Sequence, residues 1–146
     1  MIREMQLQDR DEFMAMCHEF YRSDACDHVI GDDCFAATFT EVMKKGPYAR
    51  GYIFEKEGQI AGYALVSISF SPEVGGMSAF LEEAFIKEPF RSQGLGKEYF
   101  AFIEKEYGPT FKRFRLEATP SNTRAMKLYE KMGFSVLHYV QMVRDL

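Results

Sequence analysis

A chain of 146 residues, 47% of them hydrophobic and 27% charged, predicts a single domain over residues 1–146 with a core of its own. Its net charge of −4 weighs against nucleic-acid partners and permits a cationic substrate. Because the chain lacks an apolar run of about 18 residues and a secretion pattern at its start, and has three irregularly spaced cysteines, we expect a cytoplasmic protein without a membrane partner.

The first part of the chain predicts a short strand and two helices. Residues 1–6 form the strand, and Asp9 with Glu12 three residues later resembles a capping box that opens a helix ending near Arg22. A second helix follows Asp32 and ends at the next glycine–proline pair. Apolar residues at three- and four-residue steps give each helix a face toward the core: Phe13, Met16, Cys17, Phe20, Phe35, Phe39, Val42 and Met43.

The rest of the chain alternates between strands and helices. Residues 52–55 and 60–70 predict a β-hairpin with its turn at Glu57-Gly58. The elements that follow are a strand over residues 78–86, a helix from about residue 95 to 107, a strand over 114–118, a helix over 123–132 and a last strand over 134–143. The order β-α-α-β-β-β-α-β-α-β predicts one mixed α/β domain.

A glycine-containing turn, residues 91–96, lies between a predicted strand and a predicted helix. Gly94 and Gly96 allow a bulky anion to approach the backbone, and the helix that follows directs its unpaired N–H groups and the positive end of its dipole at that anion. The turn lacks the spacing of a P-loop and the third glycine of a dinucleotide site, which weighs against a nucleotide-binding protein. We therefore predict a phosphate-bearing ligand at this crevice.

Three segments together resemble the GCN5-related N-acetyltransferases (GNAT). They are Phe80-Leu81-Glu82-Glu83-Ala84-Phe85-Ile86, then Arg91-x-x-Gly94-x-Gly96, then Asn122-x-x-Ala125-x-x-Leu128-Tyr129-x-x-x-Gly133-Phe134. The Leu-Glu-Glu strand is similar to that of the polyamine acetyltransferases in this superfamily. Pro89 stands one position later than in the family pattern, which affects the local loop. The resemblance implies a GNAT-like mixed sheet of about six to seven strands flanked by four helices.

The resemblance also implies acetyl-coenzyme A as cosubstrate. The pyrophosphate would bind the backbone N–H groups of Ser92, Gln93, Gly94, Leu95, Gly96 and Lys97. Gly96 would let the helix lie close against the sheet, and the charges of Arg91 and Lys97 would add attraction to the phosphates. The pantetheine arm would pair with the free backbone of Ala84, Phe85 and Ile86, where an N–H would polarise the thioester carbonyl. Asn122 would help hold the arm, although its residue type is also a good helix cap.

Two residues carry the chemistry that the resemblance implies. Glu82 matches the base of the polyamine-acetylating relatives and would take the amine proton directly or through water. Glu83 would point to the opposite face of a regular strand, but a bulge would change that, so the choice between the two carboxylates stays open. Tyr129 matches the family's acid, which protonates the departing thiolate. Each of the three also fits an ordinary structural role.

The sequence favours an N-acetyltransferase acting on the primary amine of a small cationic acceptor by direct transfer. A protein or peptide N-acetyltransferase and a coenzyme A-binding sensor without turnover stay open as alternatives. Asp24, Cys26, His28, Asp32, Asp33 and Cys34 crowd one loop, but their spacing fits no structural zinc site, so we expect an acceptor-binding loop and no metal. A homodimer is compatible with the resemblance.

Overall fold

The fold is known from a computed structural model, which describes residues 1–23, 26 and 30–146. Its elements are β1 (Ile2–Glu4), α1 (Arg10–Tyr21), α2 (Asp32–Met43), β2 (Ala49–Lys56), β3 (Gln59–Ser71), β4 (Gly76–Ile86), α3 (Leu95–Tyr107), β5 (Arg113–Leu116) and α4 (Thr123–Lys131). The sheet order is β1-β2-β3-β4-β5, antiparallel except for the parallel pair β4–β5. The predicted mixed α/β fold with four helices is confirmed. None of the helices described has the length and apolar character needed to cross a membrane.

The strand count differs from the expectation. Five strands lie in the described part of the chain, and the last strand predicted, residues 134–143, does not form. Alternating apolar residues show that a segment suits a pleated surface, but they do not provide a paired edge. The segment instead leaves large apolar side chains exposed: Val136, Leu137, Tyr139, Val140, Met142 and Val143.

The predicted hairpin is formed by β2 and β3. Both residues of its turn, Glu57 and Gly58, have positive φ, at 51° and 74°. A two-residue turn with positive φ at both positions matches the twist of the flanking strands. Register between the two strands shifts once, between Phe54 and Glu55.

The sheet buries a separate core on each of its two faces. On β2, Ile53 faces one core while Tyr52 and Phe54 face the other, as strand geometry requires. The core against α1 and α2 contains Phe13, Met16, Cys17, Phe35, Phe39, Val42, Tyr63, Leu65 and Phe85, and the core against α3 contains Ala64, Val66, Leu81, Leu95, Tyr99, Phe100, Ile103 and Tyr107. Helices α1 and α2 therefore cover one face, and α3 covers the other.

The start of α1 differs from the predicted capping box. The Asp9 carboxylate makes no cap hydrogen bond with α1 and instead accepts the Gln6 N–H at 2.7 Å. The same carboxylate binds both terminal nitrogens of Arg3, at 2.8 and 2.9 Å, while Glu12 pairs with Lys87. Asp9 is 2% exposed, so a two-pronged bond to a guanidinium satisfies a buried charge better than a cap bond would.

We expect Asp9→Asn to lower the free energy of unfolding by about 3 kcal/mol, the low end for removing one partner of a buried ion pair. Arg3 holds the pKa of Asp9 below its usual value, mainly through its hydrogen bond. A depressed carboxyl pKa contributes stability above the unfolded value of about 4, and that stability disappears as pH falls through the folded value. Urea unfolding of both proteins at several pH values measures this, and the difference should shrink in acid.

Asp11→Asn is the matched control for this prediction, because the Asp11 side chain is 99% exposed beside Arg10. Such a surface ion pair contributes little to stability, so we expect Asp11→Asn to change the free energy of unfolding by no more than about 0.5 kcal/mol. Equal effects of the two substitutions would contradict the assignment of the buried pair to Asp9.

Candidate active site

The glycine turn has the geometry of an anion cradle. Gly94 is the N-terminal cap of α3 and has φ +87°, a left-handed conformation that favours glycine. A Cβ at Gly94 or at Gly96 would meet nothing within 4 Å, so both glycines border open space. The expectation that Gly96 lets α3 lie close against the sheet is therefore wrong. The first N–H groups of α3 have no partner within the helix and point toward this space.

Neighbouring contacts hold the turn in place. Arg91 donates from Nε to the Ile86 carbonyl at 2.9 Å, and the Gln93 amide donates to the Pro89 carbonyl at 2.8 Å. Pro89 lies in a short 3₁₀ helix, Glu88–Phe90, so its shifted position leads into the turn without disrupting it. Arg91, Ser92, Gln93, Gly94 and Lys97 are exposed, and Leu95 is buried in the α3 core.

Strand β4 has a free edge next to the turn. Its parallel pairing with β5 ends where Leu81 lies opposite Leu116. Residues 82–86 continue past that point with β3 on one side and without β5 on the other. Ala84 in this stretch is exposed, Ile86 is half-buried and Phe85 packs into the α1–α2 core. The backbone of residues 84–86 can therefore pair with an extended ligand along this edge.

A β-bulge interrupts the pairing of β3 with β4 beside that free edge. Leu65 lies opposite Glu83, but the next residue of β3, Val66, lies opposite Leu81. Glu82 is thus the extra residue of the bulge. In a regular strand Glu82 and Glu83 would face opposite sides of the sheet.

The bulge brings both carboxyl groups to one face. Glu82 accepts a hydrogen bond from the Ser67 hydroxyl at 2.5 Å, and Glu83 accepts one from the Tyr63 hydroxyl at 2.6 Å. Positions 63 and 67 of β3 share a face because they are four residues apart. Glu83 also accepts a hydrogen bond from Tyr21 at the end of α1. Both carboxylates therefore lie on the side that α1 and α2 cover.

The two carboxylates differ in their surroundings. Glu82 is exposed. Burial raises the pKa of Glu83 above its usual range, the hydrogen bonds from Tyr21 and Tyr63 act in the opposite direction, and the nearby Glu82 charge adds to the rise. Glu83 is thus a carboxylate whose proton affinity is increased by its environment.

Helix α4 contributes Asn122 and Tyr129. The Asn122 side chain accepts the Ala125 N–H at 3.2 Å, so its observed role is that of a helix cap. Tyr129 packs against Phe100 and Phe134, with ring centroids 5.9 and 6.2 Å away. Burial raises the pKa of the Tyr129 hydroxyl, so this hydroxyl, like that of an ordinary tyrosine, is protonated at neutral pH.

A cavity of about 640 Å³ joins most of these groups. It lies at the free edge of β4, between α1, α3 and the N-terminal end of α4. Its lining includes the predicted Glu82, Glu83, Ala84, Asn122 and Tyr129, together with Phe20, Tyr21, Ile30, Tyr99, Glu117 and Thr119. The glycine turn is outside the lining, at the start of the same helix α3 that contributes Tyr99. A second cavity, of about 480 Å³, lies between β5 and the segment after α4.

Several features of the site could not be found from the motifs. The Tyr99 and Thr119 hydroxyls are buried without a hydrogen-bond partner among the described residues, and both border the larger cavity. Arg124 donates to the Ser92 hydroxyl at 3.3 Å and so adds a third cation near the turn. Tyr21 and Tyr63 reach Glu83 from positions 62 and 20 residues away along the chain, a separation that conceals their proximity.

The acidic loop between α1 and α2 is described only in part, because Asp24 and His28 lie outside the described residues. Within the part of the chain that is described, no three His, Cys, Asp or Glu side chains are grouped to hold a metal ion. His18 Nε2 lies 2.6 Å from Asp32 Oδ1, a contact that joins α1 to α2.

Comparison with known proteins identifies the class to which this fold and site belong. The model of the acetyltransferase (GNAT) family matches residues 11–134. The chain belongs to this family, as the resemblance of its motifs indicated.

Among individual proteins, the chain is 31% identical over 97 residues to a Bacillus subtilis (strain 168) protein provisionally assigned as a ribosomal protein bS18-alanine N-acetyltransferase. The match covers 66% of this chain and 60% of that relative, so less than two thirds of the relative's length is spanned.

Two solved structures share the whole fold. One is a possible acetyltransferase from Clostridium difficile 630, with TM-score 0.83 and 13% identity over 100% of this chain and 97% of that one. The other is AAC(6')-Iy in complex with the bisubstrate analogue CoA-S-monomethyl-acetylneamine, with TM-score 0.80 and 20% identity over the same shares. At these identities the likeness establishes the fold alone.

Proposed function

We propose that this protein is an acetyl-coenzyme A-dependent N-acetyltransferase that transfers the acetyl group directly from the thioester to the primary amine of a small cationic acceptor. The observation that carries the proposal is the free edge of β4, residues 82–86, which begins beside two carboxylates and leads toward the open glycine turn at Gly94. Family membership and a neighbour bound to a coenzyme A-containing analogue support it.

The described residues fit acetyl-coenzyme A at both ends. The phosphates would lie at the N-terminus of α3, near Arg91, Lys97 and Arg124. The pantetheine arm would pair with the backbone of residues 84–86, where an N–H directed at the thioester oxygen is typically worth about 10²–10³ in rate. The hydroxyls of Tyr99 and Thr119, which have no hydrogen-bond partner in the described part of the chain, supply polar groups for a ligand in the cavity.

The chemistry requires that a proton leave the acceptor and another reach the leaving group. A lysine-like ammonium costs about 4.6 kcal/mol to deprotonate at neutral pH. Glu82, the base that the resemblance implies, and its neighbour Glu83 both border the cavity, so the carboxylate pair can hold the cation and accept its proton. Tyr129 would give its hydroxyl proton to the coenzyme A thiolate as the carbon–sulfur bond breaks.

The walls of the cavity support a cationic acceptor. Acidic side chains from β4 and from the residue after β5, namely Glu82, Glu83 and Glu117, lie together with the rings of Phe20 and Tyr21. Carboxylates attract a cation, and aromatic rings bind the apolar body that carries it or the cation itself. An acceptor with a short apolar chain and a second positive charge fits these groups best.

An amine panel tests the acceptor class. We expect 1,4-diaminobutane to show a kcat/KM at least about tenfold above that of n-butylamine, the worth of roughly one charge-assisted contact. The two amines have the same carbon chain and differ in the second cation, so thiol release at equal donor concentration isolates that charge.

The panel also includes a peptide with an N-terminal alanine, the acceptor type in the name of the Bacillus subtilis relative. Preference for that peptide over both amines would assign the protein to peptide N-acetylation and contradict the small-acceptor proposal. Equal rates with the diamine and n-butylamine would contradict the role of the acidic cavity walls.

The proposal extends to compartment. The sequence has three cysteines, Cys17, Cys26 and Cys34, at irregular spacing, and this number and spacing fit a reducing compartment such as the cytoplasm better than a disulfide framework. A homodimer would be compatible with the free outer edge of β5.

A further inference from the structure

Glu83 has the environment of a group that exchanges protons. Its side chain is half-buried, and its two oxygens bind different tyrosines: Oε1 accepts from Tyr21 of α1, and Oε2 accepts from Tyr63 of β3. A carboxylate has about four acceptor positions, so each oxygen keeps one for a further partner. The cavity that Glu83 borders is where that partner would lie.

We propose that Glu83, held in place by Tyr21 and Tyr63, is the group that takes the proton from the acceptor ammonium, in place of the exposed Glu82. This inference rests on the proposed function. In the step, one N–H bond of the ammonium breaks, its electron pair stays on nitrogen, and the proton bonds to a Glu83 oxygen. The neutral nitrogen then attacks the thioester carbon. As the carbon–sulfur bond breaks, a second N–H bond of the nitrogen breaks too, and its proton restores the Tyr129 hydroxyl that protonates the thiolate. Glu83 returns its own proton to water.

The environments of the two carboxylates support this choice. Glu82 is exposed and bound to Ser67, so water competes for any proton that it takes. A carboxylate accepts an amine proton more readily when burial moves its proton affinity toward that of the amine. Glu82 would then attract the cationic acceptor into the cavity.

Among the residues that the structure describes, four groups face Glu83 and influence its protonation: Tyr21 and Cys17 of α1, Tyr63 of β3 and Glu82 of β4. Burial raises the pKa of the two tyrosines, and it raises that of the Cys17 thiol to about 12. All three are therefore neutral near pH 7. The Glu82 charge raises the pKa of Glu83, and the Tyr21 and Tyr63 hydrogen bonds lower it.

The first test compares Glu83→Gln with Glu82→Gln in thiol-release assays, using whichever amine of the panel above has the highest kcat/KM. We expect Glu83→Gln to lower kcat/KM at about pH 7 by about 10²–10³-fold, within the range for losing a general base. The deficit should shrink by about tenfold or more near pH 10, because the amine is then partly neutral without a base. Glu82→Gln should raise KM more than it lowers kcat.

A second test uses the acid limb of the profile of kcat/KM against pH, because that limb reports the pKa of the base in the free enzyme. Tyr21→Phe removes a hydrogen bond to the carboxylate, so the limb should move to higher pH. Glu82→Gln removes a like charge, so the limb should move to lower pH. Shifts of opposite sign are the signature of Glu83 as the titrating base, and a merely structural role of Tyr21 would not produce them.

Three results would overturn the inference: full activity of Glu83→Gln, a Glu83→Gln deficit that does not change with pH, or an unmoved acid limb in both other variants. Titration with acetyl-coenzyme A checks that each variant is folded. If Glu83→Gln fails to bind acetyl-coenzyme A, the acid limbs of the Tyr21→Phe and Glu82→Gln pH profiles test the role of Glu83. Absence of turnover by the unmodified protein across the panel would instead overturn the proposed function.

Discussion

Gly94→Glu should weaken the binding of acetyl-coenzyme A by about 100-fold or more, equivalent to about 2.8 kcal/mol. Gly94 caps α3 with φ +87° and borders open space. A glutamate there places a negative charge at the helix end that would bind the phosphates, and its Cβ is strained in the left-handed region by about 1–2 kcal/mol. Isothermal titration of both proteins measures the change.

Gly75→Glu is the matched control for this substitution. Gly75 also has positive φ, 62°, and a Cβ there would also meet nothing within 4 Å, but it lies in the turn between β3 and β4. The Gly75→Glu substitution should cause a similar backbone strain. It should leave the affinity for acetyl-coenzyme A within about twofold of that of the unmodified protein, since exposed charges beyond a Debye length are screened. Equal loss of affinity in both variants would show that the glycine turn is not the phosphate site.

Tyr129→Phe should lower kcat by about 100-fold, the lower end of general acid–base effects, with the affinity for acetyl-coenzyme A nearly unchanged. The substitution removes a hydroxyl whose pKa burial raises, and it retains the ring that packs on Phe100 and Phe134. Steady-state kinetics with the preferred amine, run beside titration with the donor, separates the two quantities.

Tyr48→Phe serves as the control for Tyr129→Phe, because Tyr48 is 68% exposed and is absent from the lining of either cavity described here. Its kcat should stay within about twofold of the unmodified value, as expected of a surface substitution. Unaltered turnover of Tyr129→Phe would remove Tyr129 from the mechanism and leave it as a core tyrosine.

Local patterns predicted most of the fold because the relevant interactions are close in sequence. The turn at Glu57-Gly58 and the buried stripes of α1, α2 and α3 depend on residues only a few positions apart. The prediction of the last strand was wrong because a strand must pair with the edge of a sheet, and alternating apolar residues do not specify that edge. The prediction of a capping box at Asp9 was wrong because Arg3, six residues before Asp9 and outside the capping-box pattern, binds the carboxylate.

The sequence predicted those residues of the candidate site that belong to recognisable motifs. The family resemblance of three motifs implied the residues of the glycine turn, Ala84, Asn122 and Tyr129, and the larger cavity brings the last three together. The bulge at Glu82 could not be predicted, because one extra residue in β4 leaves the apolar pattern of the strand almost unchanged. That single extra residue places Glu82 and Glu83 on the same side of the sheet, so our proposal of Glu83 as the base depends on the structure.

Mass spectrometry of the products is the direct test of acetyl transfer from acetyl-coenzyme A to an amine. The protein is incubated with isotopically labelled acetyl-coenzyme A and 1,4-diaminobutane, n-butylamine or the alanyl peptide, with a protein-free control. We expect a labelled monoacetylated diamine formed in step with free coenzyme A. Tight binding of acetyl-coenzyme A by the folded protein with no labelled product from any acceptor would contradict it and indicate a coenzyme A sensor.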